Sequence, residues 1–203
     1  MKKLIITALL ASTFILPVEG SGKTKNVELS GIKLSVPIDN LVTETSSTQL
    51  KDTLCYSSKA GSIALDFSQE AQAHLKISKE YLPSSKDFPV LLSDSCTEDA
   101  KQLKGIKKTI AQYNRKAQLV DEKNNVYLYE IHRNTWYLVK HGSKNDESIK
   151  SVVGTCSKLE STVMCSTRLK NKLDLHFHTK TNNIKDVYAL SSFYSSLIEK
   201  MAR

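Results

Sequence analysis

The sequence predicts an α+β fold: an antiparallel sheet with aromatic meander strands, covered by two or more helices. Apolar residues recur every three or four positions in segments 97–113 and 184–201, as on one face of a helix. Segments 126–131 and 135–139 are rich in aromatic and β-branched residues, and segment 173–178 alternates apolar with polar residues. Helical and strand periods therefore follow one another along the chain, which ends in a C-terminal amphipathic helix.

The first half of the chain predicts a small hairpin and then mixed elements. Alternating apolar residues on either side of Ser30-Gly31 predict two short strands joined by a glycine turn and ended by Pro37. The following segments are predicted as a polar connector with a short helix over 39–52, a strand over 62–67, an undecided helix or strand over 71–82, and a loop over 84–94.

The second half predicts the body of the sheet. Thr97 is a plausible cap of the middle helix, and Gly105 costs that helix about 1 kcal/mol. The strands at 126–131 and 135–139 are apolar on both faces, which predicts that they are central in the sheet. Further strands are predicted over 149–156, 164–169 and 173–178, and Asn182 or Asn183 is expected to cap the last helix.

The first twenty residues are typical of a secretory signal peptide. Lys2 and Lys3 precede thirteen uncharged residues, 4–16, and Pro17 ends the run. A membrane-spanning helix needs about 20 apolar residues, so an uncleaved anchor is the disfavoured alternative. We expect cleavage before Ser21, or else after Gly22, which leaves one exported domain over 21–203. The periplasm is the first expected location and secretion the second.

Four cysteines, Cys55, Cys96, Cys156 and Cys165, all follow the predicted signal. An even number in an exported protein predicts two disulfides, and four cysteines allow three pairings. Cys156 and Cys165 are nine positions apart, which suits a bridge near the mouth of a hairpin. That pairing leaves Cys55 with Cys96, and neither spacing is typical of a zinc or redox site.

The chain is basic, with 29 Lys and Arg against 21 Asp and Glu. Removing Lys2, Lys3 and Glu19 with the signal leaves 27 against 20, a net charge of +7. This charge favours an acidic protein as partner, with a membrane surface as an alternative. Nucleic acid is disfavoured because the lysines are spread out, without arginine clusters and interleaved aromatics.

The middle helix carries the densest group of basic residues. It could be a landing surface for an acidic partner, or simply a solvated helix face. The residues proposed for contact are Lys101, Lys104, Lys107 and Lys108, with Arg115 and Lys116 beyond them. The aromatic residues Tyr127, Tyr129, Trp136 and Tyr137 are of types common in interfaces, but in so apolar a sheet we expect them in the core.

Asp174, His176 and His178 form the sharpest candidate for site chemistry. On a strand these three share one face, and Leu173, Leu175 and Phe177 share the other. Two histidines at i and i+2 could begin a zinc or copper site, with a nearby acid to orient them. The alternative is an ordinary solvated strand face, since no third ligand is identifiable. We therefore expect no cofactor.

No sequence motif of nucleophilic or metal-dependent hydrolysis is present. The chain lacks Gly-x-Ser-x-Gly and His-Glu-x-x-His. Cysteine catalysis would need an unpaired thiol, which the even cysteine count disfavours. The sequence thus favours a protein that is not an enzyme. An envelope enzyme, such as a metal-assisted hydrolase using the Asp174, His176 and His178 face, is the alternative.

The order of elements resembles that of small periplasmic proteins: a hairpin ending Leu-Ser-Val-Pro37, a middle helix, aromatic meander strands, and a closing strand and helix over 173–201. This layout is similar to that of immunity proteins against type VI secretion toxins, and to the α/β/α sandwich of PsbP-like and Mog1-like domains. The resemblance implies a binding protein without catalysis, such as an immunity or inhibitor-type partner of a secreted or envelope protein. It assigns no functional residues.

Overall fold

The computed structural model describes residues 22–45, 61–76, 82, 89–94, 99–113, 116–132, 134–143, 146–169, 173–180 and 183–202. The strands are β1 (Thr24–Leu29), β2 (Ile32–Pro37), β3 (Leu41–Thr45), β4 (Ser62–Leu65), β5 (Val90–Asp94), β6 (Gln118–Asp121), β7 (Val126–His132), β8 (Thr135–Ser143), β9 (Asp146–Leu159), β10 (Thr162–Arg168) and β11 (Leu173–Thr179). The helices are α1 (Ser68–Leu75), α2 (Asp99–Tyr113) and α3 (Ile184–Met201), with a 3-10 turn at Ile38–Asn40. The predicted α+β class, with an antiparallel sheet and a C-terminal helix, is confirmed. The predicted signal peptide lies outside the described residues.

Strands β1 and β2 form the predicted hairpin. Leu29 pairs with Ile32, so only Ser30 and Gly31 make the turn. Both have positive φ, 49° and 79°, which is the conformation of the two-residue turns that match the twist of a hairpin. The hairpin is a separate two-stranded sheet, and a bridge from Leu34 to Ala202 joins it to the end of α3.

The other strands form one antiparallel sheet of nine, in the order β3-β4-β5-β11-β10-β9-β8-β7-β6. The prediction that β7 and β8 are central was wrong, because β11, β10 and β9 occupy the middle. Both faces of β7 and β8 are apolar for a different reason: helices cover both sides of the sheet at that end. Each face there packs against its own core.

Two segments differ from the sequence-based prediction, and the structure decides a third that the sequence left open. The loop expected over 84–94 contains strand β5, which pairs with β4 and β11. The connector expected over 39–52 contains β3 after the 3-10 turn at Ile38–Asn40. In the undecided segment over 71–82, residues 71–75 are the second half of helix α1, and residues 77–81 lie outside the described part of the chain. In each case the local sequence does not decide between strand, helix and loop, and pairing or packing with distant residues does.

The larger core lies on the face of the sheet that α3 covers, which we call the α3 face. Strand β11 alternates as predicted: Leu173, Leu175 and Phe177 are at most 1% exposed. Helix α3 begins at the predicted cap, where the Asn183 side chain accepts a hydrogen bond from the Lys185 amide. The helix buries Val187, Leu190, Tyr194 and Ile198 against the sheet and the β1–β2 hairpin.

Helix α2 lies on the opposite side, which we call the α2 face. Its Ile106 and Ile110 are buried in a second core with Ile131, Val139 and Ile149. Tyr129 is also buried there, and Tyr127 and Tyr137 pack against this core, whereas Trp136 packs against the larger one. The aromatic residues are therefore packed, as expected. Within the described part of the chain, no helix combines the length and apolar character needed to cross a bilayer.

Candidate functional site

The first candidate surface is the exposed side of α2, which we call the lysine face. It consists of Lys101, Lys104, Lys107 and Lys108, all of which are exposed. At 100° per residue their side chains leave the helix within an arc of about 120°. Ile106 and Ile110 lie on the opposite side and fix the helix to the sheet. The sequence pattern thus places four positive charges outward on a rigid support. Arg115 lies outside the described residues, and Lys116, which follows the helix, is exposed.

The second candidate surface is the polar side of β11, formed by Asp174, His176 and His178. Tyr137 on β8 is the Cα partner of Thr155 on β9. Thr155 is in turn paired with Ser166 on β10, and Ser166 with His176 on β11. Because Tyr137 packs against the core under α2, this row places the β11 polar side on the α2 face of the sheet. The three side chains are only partly exposed.

Asp174 is held by an arginine that the sequence did not single out. Arg168 is its Cα partner on β10, and its Nε lies 2.6 Å from Asp174 Oδ1. The two side chains are 12% and 17% exposed, so the pair is largely shielded from water. A charge-assisted hydrogen bond of this length is strong. Asp174 therefore serves first as the counter-ion of Arg168.

His176 contacts a serine on the neighbouring strand. Its Nε2 lies 3.3 Å from Ser93 Oγ. Burial lowers the pKa of the His176 imidazole; Asp174 opposes this effect and His178 adds to it. Burial also lowers the pKa of His178. Both imidazoles are consequently neutral at pH 7. A hydroxyl beside a neutral imidazole resembles a nucleophile and its base, but Ser93 is only 5% exposed, which keeps a substrate from its hydroxyl.

His178 faces a methionine across the strand pair. Met164 on β10 is its Cα partner, and the Met164 side chain is 40% exposed. Among the residues that the structure describes, no three His, Cys, Asp or Glu side chains gather into a set that could hold a metal ion. Methionine, whose thioether sulfur can also bind a metal ion, is not one of these four residue types.

Two of these neighbours, Arg168 and Met164, could have been found from the sequence. Segments 164–169 and 173–178 were both predicted strands, and pairing them antiparallel around a short turn places Arg168 near Asp174 and Met164 near His178. Ser93 could not be found in this way because its segment was predicted as a loop. Its place follows from the pairing of β5 with β11.

The predicted bridge between Cys156 and Cys165 is confirmed. The two residues are Cα partners on β9 and β10, with their Cα atoms 4.2 Å apart. Both are 4% exposed and belong to the core under α3. Cys55 and Cys96 lie outside the described residues, so the second pairing stays a prediction. The confirmed bridge ties two central strands together and faces away from Asp174, His176 and His178.

We compared the chain with known proteins. No protein-family model, curated protein or solved structure matches it significantly. The resemblance to immunity proteins and to PsbP-like domains therefore stays a prediction from the layout.

We expect Asp174→Asn to lower the free energy of unfolding by about 2 kcal/mol, because it leaves the Arg168 charge in a site that is only 12% exposed. The double variant Arg168→Met with Asp174→Leu should recover most of this loss, since it removes both charges together. Urea denaturation of the three proteins measures the effect. If Asp174→Asn were as stable as the original chain, the ion pair would contribute no structural stability.

Proposed function

We propose that this chain is an exported, non-enzymatic binding protein whose lysine face docks on an acidic protein partner. The observation that carries the proposal is the lysine face itself, four exposed lysines on one side of a helix whose other side is buried. Lys104 lies three and four positions before Lys107 and Lys108, and like charges at these spacings on a surface helix repel each other by a few tenths of a kcal/mol per pair. An acidic partner relieves that repulsion.

The support beneath α2 suits binding. Ile106 and Ile110 pack on residues from three strands, Ile131, Val139 and Ile149, so the helix does not have to be ordered when a partner arrives. Avoiding that ordering cost improves affinity for the same contacts. The net charge of +7 expected after removal of the signal adds long-range attraction, which raises the rate of encounter with an acidic protein.

The partner class follows from the expected export and from the resemblance in layout. An exported protein meets other envelope or secreted proteins, and the resemblance to immunity proteins points to a toxin or enzyme that this chain neutralises. An envelope enzyme using Asp174, His176 and His178 is the alternative hypothesis. In such an enzyme Asp174 would have to act while it is held by Arg168.

We expect replacing Lys101, Lys104, Lys107 and Lys108 by glutamate to weaken partner association about 10- to 1000-fold, the range over which electrostatic steering acts. The matched control replaces by glutamate four lysines that are exposed on the other side of the sheet, just before β1, on β2 and on α3: Lys23, Lys33, Lys185 and Lys200. Both variants have the same net charge, so only the position of the charges differs.

The measurement is capture from an envelope extract of the source cells, followed by titration of the captured protein at low and high salt. The proposal requires an acidic protein that the control variant retains and the lysine-face variant loses. Equal loss in both variants would show an effect of net charge alone. Binding to vesicles containing anionic lipid, with no protein captured, would instead favour a membrane surface as the partner.

A further inference from the structure

Three side chains with metal-binding chemistry lie together on β10 and β11, on the α2 face of the sheet. His176 and His178 are two positions apart on β11, and Met164 is the Cα partner of His178 on β10. Directly opposite residues in an antiparallel pair have Cβ atoms about 4.5–5.5 Å apart. Residues i and i+2 on one strand are separated by about 6.8 Å and project to the same side. Two imidazoles and a thioether thus surround one small patch of the sheet.

We propose that His176, His178 and Met164 form a binding site for monovalent copper, Cu(I). The ligand types select this ion. A thioether sulfur is a soft ligand that favours Cu(I), whereas the hard cations Mg²⁺ and Ca²⁺ require oxygen ligands. Imidazole alone suits zinc and copper equally, so Met164 is the residue that decides between them. This site is independent of the lysine face, and either proposal can fail without the other.

His176 has a neighbour of the kind that metal-binding histidines require. A ligating imidazole donates its other ring N–H to a neighbouring acceptor, which fixes the ring. In the tautomer of His176 in which Nε2–H donates to Ser93 Oγ, 3.3 Å away, Nδ1 carries the lone pair that binds the ion.

The nearby carboxylate and cysteine sulfurs are not available as ligands, which favours a monovalent metal ion. Asp174, the carboxylate on the same side of the strand, is occupied by Arg168 at 2.6 Å, and this pair adds no net charge to the site. The sulfurs of Cys156 and Cys165 form a disulfide within the core under α3 and cannot act as thiolates. Two nitrogens and one thioether therefore form a neutral ligand set, which suits a monovalent cation better than a divalent one. Met164, at 40% exposure, leaves the site open to an approaching ion.

The purified chain is titrated anaerobically with Cu(I) in competition with a chromogenic Cu(I) chelator, and separately with Zn²⁺, with ascorbate keeping copper monovalent because it does not reduce the disulfide. We expect a single equivalent of Cu(I) to bind, more tightly than Zn²⁺. Met164→Leu, which keeps size and apolar character, should weaken Cu(I) binding by at least about tenfold and leave Zn²⁺ binding unchanged. The matched control is Met201→Leu, since Met201 packs on the α3 side of the sheet and should have no effect.

X-ray absorption at the copper edge provides a readout that does not depend on affinity. A sulfur neighbour should be present in the original chain and in Met201→Leu, and absent in Met164→Leu. Thermal unfolding of the apo proteins checks that Met164→Leu is folded. The proposal is overturned if Cu(I) does not compete with the chelator, if Zn²⁺ binds more tightly, or if Met164→Leu binds Cu(I) as the original chain does.

Discussion

Replacing Phe177 by alanine is expected to lower the free energy of unfolding by about 3–5 kcal/mol, the usual cost of removing a buried aromatic side chain. Phe177 is 1% exposed and lies on β11, near the middle of the sheet. Its ring meets that of Tyr194 on α3 edge-on, with centroids 5.4 Å apart, and Tyr194 in turn stacks on Phe67 at 6.0 Å. The substitution leaves a cavity where the last helix joins the sheet.

Urea denaturation followed by far-ultraviolet circular dichroism measures this loss. Phe177→Leu is the control, because it keeps most of the volume and should cost about 1–2 kcal/mol. His176 and His178 lie on either side of Phe177 in the sequence and project to the opposite face of the strand. Phe177→Ala should therefore also weaken Cu(I) binding at the proposed site. If it cost less than about 1 kcal/mol, Phe177 would not anchor α3 to the sheet.

Gly154→Val is expected to lower the free energy of unfolding by about 2–3 kcal/mol, although valine ordinarily suits a strand better than glycine. A Cβ atom on Gly154 would lie 2.9 Å from the Ser166 carbonyl oxygen and 3.0 Å from Thr167 Oγ1. Thr167 cannot move away without loss, because its hydroxyl makes a buried 2.7 Å hydrogen bond with Ser191 on α3. Strands β9 and β10 would have to separate to accept the side chain.

Gly105→Ala provides a control of opposite sign. A Cβ atom on Gly105 meets nothing within 4 Å, and alanine in the interior of a helix is favoured over glycine by about 1 kcal/mol. This variant should therefore be more stable, and it should leave the lysine face intact. Thermal unfolding of both glycine variants beside the original chain makes the comparison. If Gly154→Val were as stable as the original chain, strands β9 and β10 could accept a side chain at position 154 without separating, and the prediction would be wrong.

The two proposed sites are on the same side of the sheet but depend on different physics. The lysine face acts by charge and is sensitive to salt. The site formed by His176, His178 and Met164 acts by ligand type and geometry, which salt hardly changes. Measuring partner association with and without Cu(I) would show whether one site influences the other. Reciprocal effects would follow from linkage if they are coupled.

Elements with a strong local pattern were predictable. Helix α3, its Asn183 cap and the alternation of β11 follow from periodicity and capping, because the apolar face is written along the segment itself. The Cys156–Cys165 bridge followed from spacing within a hairpin. Strands β3, β5 and β6 were not predicted as strands. They are only four or five residues long. Strand β5 depends on pairing with the distant β11, and β6 pairs with the next strand, β7, through a register shift.

The sequence by itself determined the fold class, the amphipathic helices, the outward position of the lysines on α2 and the shared face of Asp174, His176 and His178. These properties depend on the repeat of a helix or strand, which residues within one segment set. Only the tertiary structure decided the strand order and the neighbours of that shared face: Arg168 beside Asp174, Ser93 beside His176 and Met164 opposite His178. Those neighbours depend on the register between strands, which burial of the α3 face selects over the whole sheet at once.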